Sequence, residues 1–525
     1  MFKRISKTGL FVFSLVLFAA YASGADLTIG TRAEPSIDPH FLYLGTNVAY
    51  SMHLYDMLVD QDDDLKKIGD LATSWKVIDD NTWEFSLRRG VKFHDGSDFT
   101  AEDVVFSIKR IPNVPNNPNS YAGRVSTIGE MEIINPYTIR FKTNKKDPLL
   151  PVNLTRATIV SKKAAEGAAT ADFSSGKAAI GTGPFKFVKY TPGDRLVLAR
   201  HEAYWGQKPP WEQVTFSIIS NDAARVAALL GGDVDMIDYV PPSEIPTIEK
   251  NPNFRVFKRP SARVIYLFAN QAIDSSPFIT AKDGKPLGKN PLKDLRVRRA
   301  ISMAIDRDAI CKRVMDGLAI PASQMVPEGI FGYSPNFKGE KHDPAAARKL
   351  LTEAGYPDGF GLTIHGPSDR YVNDSKICQA VGQMLTRIGL AVKVETMPAS
   401  VYFSKITAGK GEFPFGLGGW SYTSGEATEG VTTIFHTFDR TRGFGAYNQS
   451  MYSNPEFDQV AEQAASTADE AKREKLLHSA IDILMKDMTF IPLHVEFTTM
   501  ATRKGLTYSP RADEQTRAVN AKPAP

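Results

Sequence analysis

Residues 362–394 read LTIHGPSDRYVNDSKICQAVGQMLTRIGLAVKV, and this stretch carries the pattern of a βαβ unit. Short apolar runs at 362–365 and 390–394 predict two strands, and Gly389 ends the helix predicted between them. The apolar residues of that helix recur at helical spacing on one face: Ile377, Val381, Met384, Leu385 and Ile388. A βαβ unit pairs its strands in parallel through a right-handed crossover, so this stretch predicts an α/β fold.

Helix and strand patterns alternate along the rest of the chain. Residues 82–87 (TWEFSL) alternate polar and apolar side chains as a half-buried strand does. Asp343 and Gly355 mark the beginning and the end of a predicted helix. The strands and helices between about 50 and 180 predict a subdomain, and a later α/β lobe is inserted between segments of the first lobe. Residues 509–525 are polar and contain prolines, which predicts an irregular tail.

The first 25 residues show the pattern of a secretory signal peptide. A positively charged start precedes the apolar segment 9–22, and the small residues 23–25 come before Asp26. The apolar segment is shorter than the roughly 20 residues that a membrane helix needs. No cysteine lies near the predicted cleavage site, which argues against a lipid anchor. We therefore predict that residues 1–25 are removed and that the mature protein is free in the periplasm.

The charge and the size of the chain restrict its possible classes. The chain has 63 basic and 59 acidic residues, and residues 1–25 contain three of the basic and none of the acidic ones. The mature chain is therefore nearly neutral, and no sustained Lys/Arg stripe indicates a nucleic-acid partner. About 500 mature residues are too many for one core, so at least two domains are expected. Cys311 and Cys378 leave two alternatives open: one disulfide or two buried free thiols.

A series of short motifs extends over nearly the whole mature chain. In order, they are 71–75 (LATSW), 82–85 (TWEF), 89–96 (RGVKFHDG), 100–104 (TAEDV), 181–185 (GTGPF), 297–301 (VRRAI), 304–307 (AIDR) and 351–356 (LTEAGY). Each motif alone is a weak signal. In this order and over this length, the chain resembles the family 5 extracellular solute-binding proteins, which are the peptide, opine and nickel-complex receptors of ABC importers.

The resemblance implies a two-lobed periplasmic binding protein of the Venus-flytrap type. It implies mixed sheets, an extra subdomain in lobe one, and two crossing hinge strands. We expect the crossing strands near 268–270 and 491–494. Lobe one then comprises residues 26–270 and 490–525, and lobe two comprises residues 271–489.

The function implied by this resemblance is that of a monomeric receptor for a small solute. The solute is expected to be a short peptide or another polar, carboxylate-bearing molecule, and no cofactor is implied. Because such a ligand contacts both lobes, its differential affinity favours the closed state. The receptor then delivers the solute to a permease and ATPase complex in the inner membrane.

In this family the loop after a Gly-Gly-Trp segment enters the cleft, and here it spans 418–426 (GGWSYTSGE). The resemblance makes four of its side chains candidate ligand contacts: Trp420, Ser421, Tyr422 and Thr423. Packing near the floor of the cleft is the alternative role for Trp420. Peptide-binding members usually carry an aspartate soon after the tryptophan, which pairs with the α-ammonium of the peptide. Residues 421–425 contain no acid, so either Glu426 substitutes or the solute lacks a free amine.

Arg370 and Tyr371 resemble a family position where a basic side chain meets a ligand carboxylate. Arginine suits this role because its planar guanidinium binds a carboxylate through two hydrogen bonds. A solvated surface arginine is the alternative. The first loop of lobe one supplies further candidates: Tyr43, Gly45, Thr46 and Asn47. Asn270, beside a predicted crossing, is either a ligand contact or structural.

No motif of a known catalytic site supports an enzyme. The patterns GxSxG, HExxH and CxxC do not occur in the sequence, so no catalytic residue is predicted. The nine histidines are scattered, which predicts no metal site built by the protein alone. Two other functions stay open: a receptor for a metal-chelate complex, with His436 as a candidate contact, and a ligand sensor without a transport role.

Overall fold

A computed structural model describes residues 25–406 and 411–524, which form a mixed α/β structure. The predicted signal peptide lies outside the described residues, except for residue 25, where the first strand begins. No helix within these ranges is both long and apolar enough to cross a membrane.

The strands and helices alternate along the chain. The strands are β1 (Ala25–Thr31), β2 (Val59–Gln61), β3 (Lys67–Gly69), β4 (Ala72–Asp79), β5 (Thr82–Leu87), β6 (Ile128–Asn135), β7 (Thr138–Thr143), β8 (Phe185–Thr191), β9 (Arg195–Arg200), β10 (Trp211–Ile218), β11 (Met236–Asp238), β12 (Phe254–Ala269), β13 (Ile279–Thr280), β14 (Ala319–Pro321), β15 (Gly361–Pro367), β16 (Ala391–Met397), β17 (Phe415–Ser421), β18 (Phe490–Arg503), β19 (Leu506–Tyr508) and β20 (Ala521–Pro523). The helices are α1 (Gly45–Leu54), α2 (Ala101–Arg110), α3 (Ala122–Val125), α4 (Leu150–Asn153), α5 (Lys162–Ala165), α6 (Thr170–Ser174), α7 (Asp222–Gly231), α8 (Ile245–Lys250), α9 (Leu295–Ala304), α10 (Arg307–Ala309), α11 (Pro344–Glu353), α12 (Asp374–Arg387), α13 (Ala399–Ile406), α14 (Thr428–Thr433), α15 (Pro455–Ser466) and α16 (Glu470–Asp487).

A twelve-stranded mixed sheet runs through the molecule. Its main order is β13-β15-β17-β12-β18-β11-β1-β10-β9-β8, with β14 on β18 and β16 on β15. The long strands β12 and β18 are antiparallel neighbours at its centre. On one side β12 pairs with β17, and on the other β18 pairs with β11. The sheet therefore has two halves, joined by these two strands.

Strands β12 and β18 change their register and their packing partners near Arg263 and Glu496. The register of β12 on β18 shifts between Pro260 and Val264. Before this shift, β12 packs against the core around α7 and α8, and after it against the core around α9 and α12. Residues 263–269 all pair with β17, and the register shift lies just before them, so the expected crossing near 268–270 stays a prediction. The lobe limits 26–270, 490–525 and 271–489 stay predictions.

A separate four-stranded sheet has the order β4-β5-β7-β6, and its strands come between β1 and β8 in the sequence. The predicted strand at 82–87 is confirmed as β5. Phe85, Ile139 and Phe141 are fully buried in a core that draws its residues from 48 to 159. Helix α2 begins at a capping box formed by Thr100 and Asp103, and it packs its apolar face on this core.

The predicted βαβ unit is confirmed. Strands β15 and β16 pair in parallel, and α12 lies between them in sequence. The predicted apolar face of α12 is buried at Ile377, Val381 and Leu385. Gly389, at φ +107°, follows the helix in a backbone conformation that glycine adopts without strain. The spacing of apolar residues in this stretch was therefore sufficient to predict the βαβ unit.

The C-terminal segment is folded, so the predicted tail at 509–525 is wrong for its described residues. Strands β19 and β20 pair, and the indole of Trp211 donates to the carbonyl of Ala521 over 2.9 Å. Arg511 is buried and donates to both oxygens of Asp513, at 3.1 and 3.0 Å. The segment can be polar and still folded because its buried charges are paired inside the protein. Hydropathy does not distinguish such paired, buried charges from exposed ones.

The two cysteines are free and buried. Of the two alternatives, the structure therefore has two separate thiols. Burial raises the pKa of both Cys311 and Cys378 to about 12, so neither is a reactive thiolate near neutral pH.

Candidate functional site

A cavity of about 450 Å³ lies between the two halves of the molecule. Arg32 and Tyr239 line it where β1 and β11 end, and Arg370 and Tyr371 line it after β15. These positions follow the carboxyl ends of strands, where open α/β sheets form their binding crevices. The centre of the cavity is lined from β12, β18 and the C-terminal segment by Arg263, Glu496 and Glu514.

Three charged side chains form a network in this cavity. Arg263 donates from Nε and Nη2 to the two carboxylate oxygens of Glu514, at 2.9 and 2.8 Å. Glu496 lies farther away, with Oε2 at 3.4 Å from Nε of Arg263, and its Oε1 accepts the backbone N–H of Val372 at 3.2 Å. One guanidinium is therefore shared by two carboxylates, of which Glu496 is buried and Glu514 is half-buried with the better geometry.

The two carboxyl groups differ in pKa. Burial, together with the charge of Glu514, raises the pKa of Glu496 to about 7, although Arg263 opposes this rise. Burial also disfavours the charge of Glu514, but the charge and hydrogen bonds of Arg263 lower the pKa of that group below its ordinary value. A buried carboxyl that titrates near neutrality inside a cavity is typical of a functional site.

Arg370 presents a guanidinium without an ion pair among the residues that the structure describes. Asp374 holds the loop in place, since one oxygen accepts the N–H groups of Arg370 and Tyr371 at 2.9 and 3.2 Å. The guanidinium lies 5.2 Å from the centre of the Tyr371 ring, and the Tyr371 hydroxyl donates to the carbonyl of Gly419 at 3.3 Å. The Arg370 side chain is exposed and lines the cavity, where it is available to a carboxylate.

The loop after Trp420 contributes two unpartnered polar atoms. Nε1 of Trp420 and Oγ of Ser421 are buried and have no hydrogen-bond partner in the described part of the chain. Ser421 pairs with Arg263 in the ladder between β17 and β12. Trp420 packs against Tyr447, with ring centres 5.8 Å apart, and does not line the 450 Å³ cavity.

The next two candidates of this loop, Tyr422 and Thr423, contact other parts of the protein. Tyr422 is fully buried in the core, and its hydroxyl donates to the carbonyl of Met325 at 2.9 Å. The carbonyl of Thr423 accepts a hydrogen bond of 2.6 Å from Arg156, which is also buried. Tyr422 therefore packs in the core, whereas the contact of Thr423 is made by its backbone and not by its hydroxyl.

Glu426 is paired with Arg473 and does not line the cavity, which argues against a role in place of the ammonium-binding aspartate. Nε of Arg473 donates to Oε1 of Glu426 at 2.8 Å, and the hydroxyl of Thr428 donates to the same oxygen. Arg473 is 1 % exposed and Glu426 is 4 % exposed. This buried pair lies away from the cavity residues and joins the Trp420 loop to α16.

Two of the candidates predicted in the first loop of lobe one, Tyr43 and Thr46, lie near the boundary between the two halves. Tyr43 accepts a hydrogen bond of 2.6 Å from Arg124, and Arg124 also binds Glu429 in α14 at 2.8 Å. Thr46 lines a narrow recess that shares Tyr239 and Glu514 with the cavity. The structure thus brings Thr46 close to the cavity and places Tyr43 beside a contact between the halves.

The remaining candidates of the sequence analysis do not line the 450 Å³ cavity. Gly45 begins helix α1, so the expected loop 43–47 is partly helical. Asn47 is buried, accepts the N–H of Ser36 at 2.6 Å and donates to the carbonyl of Leu42 at 3.0 Å. Asn270 is also buried, and its side chain donates to the carbonyl of Gly411 at 3.3 Å and accepts the N–H of Ala272 at 3.0 Å.

His436 is buried and bonds to the carbonyl of Thr437 and the carboxylate of Glu462. No group of three or more His, Cys, Asp or Glu side chains that could hold a metal ion occurs in the described ranges. The structure therefore gives His436 a structural set of partners.

The sequence interpretation missed Arg263, Glu496 and Glu514. Each of the first two is a charged residue inside a strand that is otherwise apolar or buried, in SARVIYLFA and PLHVEFTTM. A charge in such a strand needs a partner or a ligand, so the sequence does mark Arg263 and Glu496 as candidates. It does not show that they contact each other, because that contact depends on the pairing of β12 with β18.

Comparisons with known proteins identify the class. The family model of the bacterial extracellular solute-binding proteins, family 5, matches residues 66–442. The glutathione-binding protein GsiB of Salmonella choleraesuis (strain SC-B67) is 29% identical over 504 residues, which cover 94% of this chain and 93% of the relative. GsiB of Escherichia coli (strain K12) is 28% identical over 518 residues and covers 97% and 96%.

Solved structures share the fold over almost the whole chain. DppA of Helicobacter pylori in complex with the peptide STSA is 26% identical, with a TM-score of 0.75, and covers 95% of this chain and 98% of its own. CtaP of Listeria monocytogenes is similar in fold, with a TM-score of 0.81, 22% identity, and coverage of 95% and 99%. The chain therefore belongs to family 5 of the bacterial extracellular solute-binding proteins, two-lobed periplasmic receptors that serve ABC importers.

Proposed function

We propose that this receptor binds a short peptide or a peptide-like solute with a free carboxylate, in the cavity between the two halves. The observation that carries the proposal is the guanidinium of Arg370, which faces the cavity without an ion pair among the described residues. A guanidinium in this state is complementary to a carboxylate and binds it through two hydrogen bonds. The cavity volume of about 450 Å³ is in the usual range for small-molecule sites.

The named ligands of similar proteins support the same class of solute. The GsiB relatives are named for glutathione, and the DppA structure contains the peptide STSA. Both ligands are short, peptide-like and carry carboxylates. Glutathione and unmodified tripeptides are therefore the first solutes to test.

The mode of action follows from the position of the cavity. A solute that contacts both halves binds the closed state more tightly, so it shifts the population toward closure. The pair between Arg124 and Glu429 already links the subdomain to α14, and it is available to support the closed arrangement. The proposal includes export by residues 1–25, action as a monomer without a lipid anchor, and no catalytic step.

A thermal-shift screen of the refolded mature protein tests the class of solute. Refolding removes a ligand that copurifies. The screen contains glutathione, tripeptides, opines and a nickel–histidine complex. A solute present at 100 times its Kd stabilises the protein by about 2.7 kcal/mol. A shift with glutathione or tripeptides supports the proposal, and a shift with the metal complex alone contradicts it.

Arg370→Ala is expected to weaken binding of a solute with a free carboxylate by roughly 10- to 100-fold, because a charge-assisted hydrogen-bonded pair is lost. The measurement is calorimetric titration with a peptide and with its C-terminal amide. The unmodified protein should prefer the carboxylate form, and the variant should bind both forms equally.

Lys393→Ala serves as the control for Arg370→Ala, since Lys393 is an exposed cation on β16 that does not line the cavity. This control should retain the preference for the carboxylate form. If Arg370→Ala retains that preference as well, Arg370 is a solvated surface residue and the carboxylate contact lies elsewhere.

A further inference from the structure

Glu496 is a buried carboxylate whose charge is only partly neutralised. It is 7 % exposed and lines the cavity between the halves. Within the described ranges its one ion pair is the 3.4 Å approach of Oε2 to Nε of Arg263, and that guanidinium makes two shorter hydrogen bonds to Glu514. Because a buried charge needs a full set of partners, Glu496 has room for another cation on its cavity side.

The other carboxylates that line the cavity are less suited to a cationic group. Asp316 and Asp369 are exposed, and Asp369 accepts the N–H of Ala399. Asp222 is 60% exposed and bound to Arg225 at 2.6 Å. Exposed pairs contribute little to affinity because solvent screens them, whereas a buried carboxylate is desolvated and discriminates strongly.

Glu496 is also tied to the loop that carries Arg370. Its Oε1 accepts the N–H of Val372, two residues after Arg370, and the charge of Arg370 is close enough to act on Glu496. The cavity therefore presents a carboxylate and a guanidinium as near neighbours. This arrangement is complementary to a zwitterionic solute that carries both an ammonium and a carboxylate group.

We propose that Glu496 pairs with the ammonium group of the solute, and that the receptor therefore selects solutes with a free amine. This inference rests on the proposed function and specifies its substrate class. The hydrogen bonds run from the ammonium group to the Glu496 carboxylate, while Arg263 stays bound to Glu514.

The pH dependence of binding follows from this pairing. The groups that face Glu496 are Arg263, Glu514, Arg370 and, through its hydroxyl, Tyr371. The pKa of Glu496 is raised to about 7 in the free protein, and a bound ammonium favours the ionised carboxylate. Binding below that pH must first release a proton, so affinity for an amine should increase as pH rises from about 5.5 to 7.5.

The test uses glutathione and tri-alanine, each with its N-acetyl derivative, and compares the refolded unmodified protein with Glu496→Gln. The unmodified protein should bind the free-amine form about 30-fold more tightly or better, since a buried charge pair is lost in the acetylated form. Glu496→Gln should bind both forms with similar, weak affinity and should lose the increase with pH.

Asp316→Asn is the matched control. It removes one exposed negative charge from the same cavity, and asparagine tolerates the backbone of this position, at φ 51°. The control should keep the preference for a free amine and its pH dependence.

Two results would overturn the inference, and they are distinguishable from each other. If the free and acetylated peptides bind equally, or if Glu496→Gln keeps the preference, Glu496 does not bind the ammonium group although the receptor still binds peptides. If neither peptide pair binds the unmodified protein while an amine-free solute or a metal complex does, both the inference and the proposed function fail.

Discussion

Glu426→Gln is expected to lower the free energy of unfolding by about 3–5 kcal/mol, because it leaves the guanidinium of Arg473 buried without its anion. Arg473 is 1 % exposed, and its shortest contact to a carboxylate is the 2.8 Å bond to Glu426. Glutamine has nearly the same volume as glutamate, so the effect reports the charge and not a cavity. Thermal and urea unfolding of the solute-free variant measure it.

Glu470→Gln is the control for this change on the same arginine. Glu470 is 3.7 Å from Arg473 and 62% exposed, so solvent screens the pair. Its replacement should cost less than about 1 kcal/mol. The preference of Glu426→Gln for free over acetylated amines should stay as in the unmodified protein. An unchanged unfolding temperature together with a lost amine preference would instead assign Glu426 to the solute site.

The elements with a clear local period could be predicted from the sequence. The βαβ unit at 362–394 and strand β5 at 82–87 formed as expected, because each buries one regular face of apolar side chains. The C-terminal segment could not be predicted in this way. Arg511 and Asp513 are polar in sequence but buried in the fold, since each neutralises the other.

Only part of the candidate site could be predicted from the sequence, because its buried charges also depend on partners that are distant in the chain. Arg370 was found by resemblance, and the structure places it on the cavity. The positions of Tyr422 and Glu426 after Trp420 predict a place in the cleft, but spacing does not show which way a side chain points, and both side chains bond to other parts of the protein. Arg263, Glu496 and Glu514 meet only through the pairing of β12 with β18 and the packing of the C-terminal segment, which are long-range contacts.

Glu496→Gln is expected to stabilise the solute-free protein, although it weakens binding of an amine. The pKa of Glu496 is raised from 4.5 to about 7, chiefly by burial. At about 1.4 kcal/mol for each pKa unit, the ionised group destabilises the fold by about 3 kcal/mol at pH 8 and above. Glutamine does not ionise, and Arg263 keeps its two hydrogen bonds to Glu514, so no buried cation loses its main partner.

The sign of this effect depends on pH. A raised pKa means that the folded protein holds the Glu496 proton more tightly than the unfolded chain does. This contribution to stability is complete below about pH 4.5 and is lost as pH rises through about 7. The unfolding temperatures of the two proteins should therefore be similar at pH 5 and should separate in favour of Glu496→Gln by pH 8. A variant that is less stable at pH 8 would show that Glu496 is a structural partner of Arg263. The expected separation would show that the fold retains a destabilising charge where an ammonium group of the solute can neutralise it.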